Sequence, residues 1–471
     1  MRSRTPLDSV APTGRWYSAV SANPMDGGVA IRVIPEGADL LRLHETFPTR
    51  YPHLLEGRGG EGWGCDILFA EPEDPVILRA GATPADCAEF FTALDDRTGL
   101  AAGGAVPDET LPFYYGHFLF LSYELITAWE SRLASLPLPA DVPLAWLQGF
   151  SGAVLRERYS GRAIVTGRDA SVVAKIAADL KRLPAPRPWP PVVLEHLHED
   201  PPEDYERGVR DIQARITSGE VFQANLSRRY SGRIRADIPA GALLEGLRGH
   251  NPAPFSAMAR LGDTLIASAS PERLLRRRRS QVTTQPIAGT CARGSGALAD
   301  ESARRGLRTD PKERAEHLML VDLERNDLGR VCVPGSVRVP ELMRIESFAT
   351  VHHLVSDVEG TLRADVRPSH LIRALFPGGS ITGCPKIHCM GILAQNERRA
   401  RGAYTGSLGY INERGDIDLN ILIRTLVVRG SEIEFCVGAG IVADSDPKRE
   451  LLETQAKAAG LVRALGIASR G

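Results

Sequence analysis

The chain holds 471 residues, 43% of them hydrophobic and 24% charged, with a formal net charge of −1. This is the balance of an ordinary globular protein, long enough for more than one compact unit or one large composite domain. Near-neutrality and a pI near 6.8 argue against nucleic acid or an anionic membrane surface as the main partner.

The opening MRSRTPLDSVAPTG lacks the apolar core of a signal peptide, and no apolar run is long enough to span a bilayer. The seven cysteines are scattered without a CxxC pair, which suits reduced thiols and offers neither a zinc site nor a disulfide framework. A cytoplasmic protein is expected.

Residues 1–182 read as a mixed α/β region. β-like runs at Val29–Ile34, Ile67–Ala70 and Ala163–Thr166 alternate with helical patterns at Ala85–Leu94 and Ala170–Leu183. Leu54-Leu55-Glu56-Gly57 reads as a turn. Leu183–Pro202 carries seven prolines, which exclude regular helix and favour an extended connector. A boundary is placed there, between an N-terminal region, 1–182, and a larger region, 203–467.

In that larger region Tyr205–Gly219 has helical periodicity and ends at glycine. Val221–Tyr230 follows as a strand, with Gln223, Asn225 and Ser227 on one face. Thr264–Arg273 is a β run closing on Ser-Pro-Glu, where Glu272 is a buried acid or a turn residue. The basic run Arg273–Arg279 reads as a solvated loop. In Thr284–Gly294, TQPIAGTCARG, Gly289 lets the backbone approach a ligand closely. A strand ending in a turn is the plainer alternative.

Asp310–Arg330 carries the strongest helix signal, with Asp310 as N-cap and proline at the first helical position. Glu316 shares the apolar stripe of Leu320 and Leu323, where an unpaired carboxylate is costly. A metal or a buried ion pair would satisfy it. His352 and His353 lie on a strand and point to opposite faces, so at most one enters a given site. Phe376–Lys386, FPGGSITGCPK, is a glycine-rich loop opening a helix, an anion-binding geometry without P-loop spacing.

Ala403–Ile411 and Leu419–Val428 read as paired strands around a turn at Asn412–Gly415. Arg424 sits amid Ile421, Leu422, Ile423 and Leu426. An arginine in so apolar a strand calls for an anionic partner, for which a substrate carboxylate is suited. Val437–Ile441 offers bare backbone N–H groups, and the last helix, Pro447–Leu465, sets Glu453 four residues before Lys457. Together these describe a site for a small polyanion with a metal ion.

At these residues the chain resembles the chorismate-utilising enzymes, closely over 203–467 and loosely before. The resemblance rests on SPER at 270–273, PIAGT at 286–290, DPKERAEHLMLVDLERNDLGRV at 310–331, VHHLVS at 351–356 and FPGGSITGCPK at 376–386. It continues through RGAYTGSLGYI at 401–411, ILIRT at 421–425, GAGIVADSDP at 438–447 and ETQAKA at 453–458.

The resemblance implies an α+β fold of the anthranilate synthase component I-like type, a four-layered αββα sandwich. It implies chorismate as substrate and Mg²⁺ as metal, with Glu316 and Glu453 as the metal-binding carboxylates. Gly289 and Thr290 would help hold the ring carboxylate. Arg424 and Tyr404 would grip the enolpyruvyl carboxylate beside Gly438, Ala439 and Gly440. Glu272 would be the general acid for the departing C4 hydroxyl, and His353 and Lys457 further active-site groups.

Within the family, the water-adding branch carries a lysine base where this chain has Gln223. Many aminodeoxychorismate synthases carry lysine at a place where this chain, like the anthranilate synthases, has alanine, Ala288. VHHLVS, FPGGSITG, GEVFQANLSRRY and DILFAEP resemble aminodeoxychorismate synthase component I instead, and LLEG replaces the LLES of the tryptophan-inhibited site. The chain thus resembles the PIAGT subclass, in which a first ammonia at C2 stands in for the lysine. No glutaminase nucleophile motif accompanies Cys384, so ammonia is expected from a separate glutamine amidotransferase subunit.

Overall fold

The computed structural model describes residues 29–34, 37–57, 63–98, 108–157, 160–348 and 351–467. The amino-terminal stretch read for a leader lies outside the described residues. Among the described residues no helix is long and apolar enough to cross a membrane.

The layering follows from side-chain alternation along the strands. On Gly116–Leu121, Phe118 and Phe120 point into an aromatic interior, while Leu119 and Leu121 point the other way. On Asp66–Pro72, Ile67 and Phe69 enter the same interior, and Leu68 and Ala70 face outward. The outer face of the first strand is covered by helices Pro84–Thr98, Pro311–Gly329 and Pro368–Leu375. That of the second lies under Leu40–Thr46, Ala170–Leu180, Ala240–His250 and Pro447–Ala464. The result is the expected α+β sandwich of four layers, αββα.

Every described strand pairing is antiparallel, and strands from both sides of the proline-rich segment pair with one another. His53–Glu56 lies beside Phe255–Leu261, and Gly116–Leu121 beside Ser407–Asn412. Glu56 is wholly buried and balanced by Arg156 and Arg248.

Four local readings are corrected. Leu54–Glu56 is strand rather than turn, because it is hydrogen-bonded between two neighbours. The proline-rich segment ends in a strand, Leu194–Glu199, on the edge of Gln223–Ile234. The basic run forms the strand Arg273–Arg278, whose Arg273 is 2% exposed because Asp418 pairs with it at 2.9 Å. The apolar run expected at Leu419–Val428 is two strands, Ile417–Asn420 and Thr425–Arg429, and Arg424 lies in the break with φ +52°.

Helix Pro311–Gly329 begins where expected. Asp310 accepts from the N–H groups of Lys312 and Glu313 at 2.8 and 3.0 Å. It buries His317, Leu320, Val321, Glu324, Asp327 and Leu328 against the strands Ile287–Ala292 and Val351–Thr361.

Candidate active site

The site lies where that helix, the PIAGT strand, the strand Glu432–Ile441 and the break at Arg424 converge. Its floor is acidic. Glu272 follows the strand Thr264–Ser270 and is 4% exposed. It accepts from the Ile287 N–H at 3.4 Å, and the Ser380 side chain faces it. Burial, then the nearby Glu324, push its pKa up to about 7 against the pull of Arg424. This is the range of a carboxylic acid able to donate a proton at neutral pH.

The cationic wall is Arg424. Desolvation lowers its pKa, and Glu272 is the carboxylate whose charge it feels. Among the described residues its guanidinium makes no ion pair and no side-chain hydrogen bond. An arginine so placed is half of an interaction that an anionic ligand completes.

His353 is 2% exposed, with Nδ1 2.8 Å from the Thr290 hydroxyl and Nε2 without a partner. Burial, reinforced by Arg424 and Lys457, lowers its pKa to about 3, so the ring is neutral. Tyr404 is 5% exposed, and a Cβ at Gly438 would lie 2.8 Å from its hydroxyl and 2.7 Å from Asn225 Oδ1. The buried Asn225 Oδ1 and Gln223 Oε1 also lack partners. Unpaired buried polar atoms converging on one place mark a surface built for something else to bind.

Glycines keep this surface close to the backbone. A Cβ at Gly440 would meet Gln223 Nε2 at 2.2 Å and Glu316 Oε1 at 2.9 Å. Gly289, at φ +86°, would meet Glu313 Oε2 at 2.7 Å. Ala439 turns its methyl away into a core with Val209 and Leu226, so it can offer the site only backbone. Ala288 is 5% exposed and presents a methyl rather than a nucleophile.

The rim carries the remaining carboxylates. Glu316 Oε1 accepts from Gln223 Nε2 at 2.6 Å; burial and the charge of Glu313 raise its pKa to about 7. Glu450 is buried and raised by desolvation, with Glu453 adding repulsion. Glu453 is exposed and pairs with Lys457 at 2.8 Å, and Lys457 also donates to the Gly438 carbonyl at 3.0 Å. Four carboxylates from two helices thus meet two lysines, Lys312 and Lys457.

An all-oxygen donor set with surplus negative charge suits a hard divalent cation. Among the described residues no three such groups form a ready-made metal centre.

Reading single residues missed Glu313, Glu450 and Glu324. Glu324 is 4% exposed and accepts from the Thr284 hydroxyl and the Gly379 N–H, both at 3.2 Å. Its spacing, four residues after Leu320 and eight after Glu316, places it on the inward stripe and could have found it. The Gly379 N–H of the glycine-rich loop is therefore spent on the protein's own carboxyl group.

The fold is an α+β sandwich, and the site gathers buried acids, an arginine without an ion pair among the described residues and unpartnered polar atoms. The family described as chorismate binding enzyme matches residues 52–463. Anthranilate synthase component 1 1 of Haloarcula marismortui is 46% identical, over 88% of this chain and 87% of its own. Aminodeoxychorismate synthase component 1 of Salmonella typhimurium is 36% identical over 83% and 87%. The crystal structure of anthranilate synthase component I from Streptococcus pneumoniae superposes with a TM-score of 0.70 at 26% identity, covering 96% of this chain and 98% of that one. The chain belongs to the chorismate binding enzyme family, and it is an enzyme acting on chorismate.

Proposed function

We propose that the chain is component I of an aminodeoxychorismate synthase, converting chorismate and ammonia to 4-amino-4-deoxychorismate for p-aminobenzoate and folate synthesis. The observation that carries this proposal is Arg424, whose guanidinium makes no ion pair among the described residues and lies near the buried acid Glu272. A substrate with two carboxylates and a hydroxyl leaving group meets both demands.

Arg424 and Tyr404 bind the enolpyruvyl carboxylate, with the Gly440 backbone beside them. Gly289 and Thr290 face the ring carboxylate, which Mg²⁺ held by Glu316 and Glu453 would polarise as a Lewis acid. Glu272 gives its proton to the departing C4 hydroxyl, which leaves as water while ammonia adds at C2. A second ammonia then adds at C4 as the C2 amine departs, so the net change is exchange of hydroxyl for amine. Ala288 leaves room at C2 for free ammonia and offers no amine of its own.

Gln223 supports an amine-using rather than a water-using reaction. Its amide donates to Glu316 and has no basic nitrogen with which to activate water. The relatives named component 1 support a partner subunit, which we assign as a separate glutamine amidotransferase supplying ammonia. A second reading, anthranilate synthase component I, is favoured by Ala288 and by the Haloarcula relative.

The test is incubation of the purified chain with chorismate, Mg²⁺ and ammonium at alkaline pH, with products separated and identified. Aminodeoxychorismate is expected. Anthranilate with released pyruvate overturns the choice of branch, and no turnover of chorismate overturns the site.

A further inference from the structure

Glu324 has no role in the reaction just described, yet it is placed with care. It comes from the inward stripe of helix Pro311–Gly329, and the loop Gly378–Ser380 lies between it and Glu272. Gly379 donates its N–H to Glu324 at 3.2 Å, and the next side chain, Ser380, faces Glu272. Thr284 donates to Glu324 at 3.2 Å, and three residues on, the Ile287 N–H points at Glu272 at 3.4 Å.

The charges around the two acids are unequal. Glu272 faces Arg424 and Glu324. Glu324 faces Asp327 and Lys386, but Lys386 is already committed to Asp327 at 2.6 Å and to the Leu375 carbonyl at 3.3 Å. Arg330 adds only a distant contact to Asp327, at 4.0 Å. Glu324 thus has no cation of its own, and two neighbouring carboxylates in an apolar setting do not both ionise.

We propose that Glu324 is a positioning residue that acts through Glu272: the two buried carboxyl groups hold one proton between them. This rests on the reading of Glu272 as the general acid. Without ligand, Arg424 favours the charge on Glu272 and Asp327 favours the proton on Glu324; a substrate carboxylate that takes up the charge of Arg424 lets the shared proton move to Glu272, from which the leaving hydroxyl takes it as water. The ammonium formed as ammonia adds to the ring returns a proton to the pair, so the cycle closes without an external acid.

The experiment is infrared titration of the carboxylic acid carbonyl band in wild type, Glu324→Gln and Glu272→Gln, beside pH profiles of kcat/KM with chorismate, Mg²⁺ and ammonium. Each variant reports on the acid that remains, so a failure of one to fold leaves the other informative. The remaining acid is expected to ionise about one pH unit or more lower than in wild type. In Glu324→Gln the alkaline limb of the profile moves down by the same amount; the supply of free ammonia changes identically for both proteins and cancels in the comparison. If the remaining acid titrates as in wild type in either variant, the shared proton is overturned. If the band shifts but the limb stays, the pair stands and Glu272 loses its place as general acid.

Discussion

Two arginines lie deep in the same part of the molecule and are treated in opposite ways. Arg401 is 5% exposed and fully provided for. It pairs twice with Glu397, donates to the Ile381 and Asn225 carbonyls, and lies over the rings of Tyr123 and Tyr404. Arg424 has none of this. A matched buried charge is scaffold, fixing the Asn225 strand and Tyr404 in place, whereas an unmatched one adds no such support to the fold.

The comparison breaks most visibly at Glu397. Glu397→Ala leaves Arg401 buried without its carboxylate and is expected to cost about 3–5 kcal/mol of stability, read by denaturant unfolding. Arg424→Met is expected to do the reverse. Its melting temperature holds or rises, because a desolvated charge is removed, while kcat/KM for chorismate falls about 10²–10³-fold, the effect of losing a charge-paired contact of a few kcal/mol. Equal loss of stability in both variants would abolish the distinction.

The same contrast explains what could be read before the fold was known. The cap at Asp310 and the helix it starts were legible because both depend on neighbours in the chain. The basic run at Arg273–Arg279 was misread because the group that draws Arg273 inward, Asp418, is 145 residues away. Arg424 was singled out as needing an anion, and its setting was misread. The chain changes partner there, from Ser407–Asn412 to Thr264–Ser270, and a left-handed residue makes the turn. That switch is a non-local pairing with no local signature. Family motifs located Glu272, while Glu324 was hidden by its apolar neighbours.

Glu124 and Glu272 extend the comparison to acids. Glu124 accepts from the N–H groups of Arg401 and Gly402 at 2.6 and 3.0 Å, and burial lifts its pKa to about 7, as it does for Glu272. Both hold their protons more tightly folded than unfolded. Their stabilising effect is therefore full below pH about 4.5, the unfolded value, and lost as pH rises through about 7. The protein without ligands is expected to melt lower at pH 8 than at pH 6. Glu124→Gln should flatten that slope without moving the pH profile of turnover, whereas Glu272→Gln should flatten it and remove turnover.

The smallest effect is expected at the rim. Lys457 and Glu453 form an exposed i, i+4 pair at 2.8 Å, side chains 39% and 52% exposed, and such pairs contribute about 0.3–0.5 kcal/mol. Lys457→Ala should barely change the melt. It also removes the donor to the Gly438 carbonyl and leaves the carboxylates of Glu313, Glu316, Glu450 and Glu453 with Lys312 as their remaining cation. A divalent metal should then bind more tightly in the variant, because one competing positive charge is gone, and calorimetric titration with Mg²⁺ reads this directly. Unchanged metal affinity with an unchanged melt would mean that the pair is surface decoration. The acidic rim would then be neutralised from elsewhere.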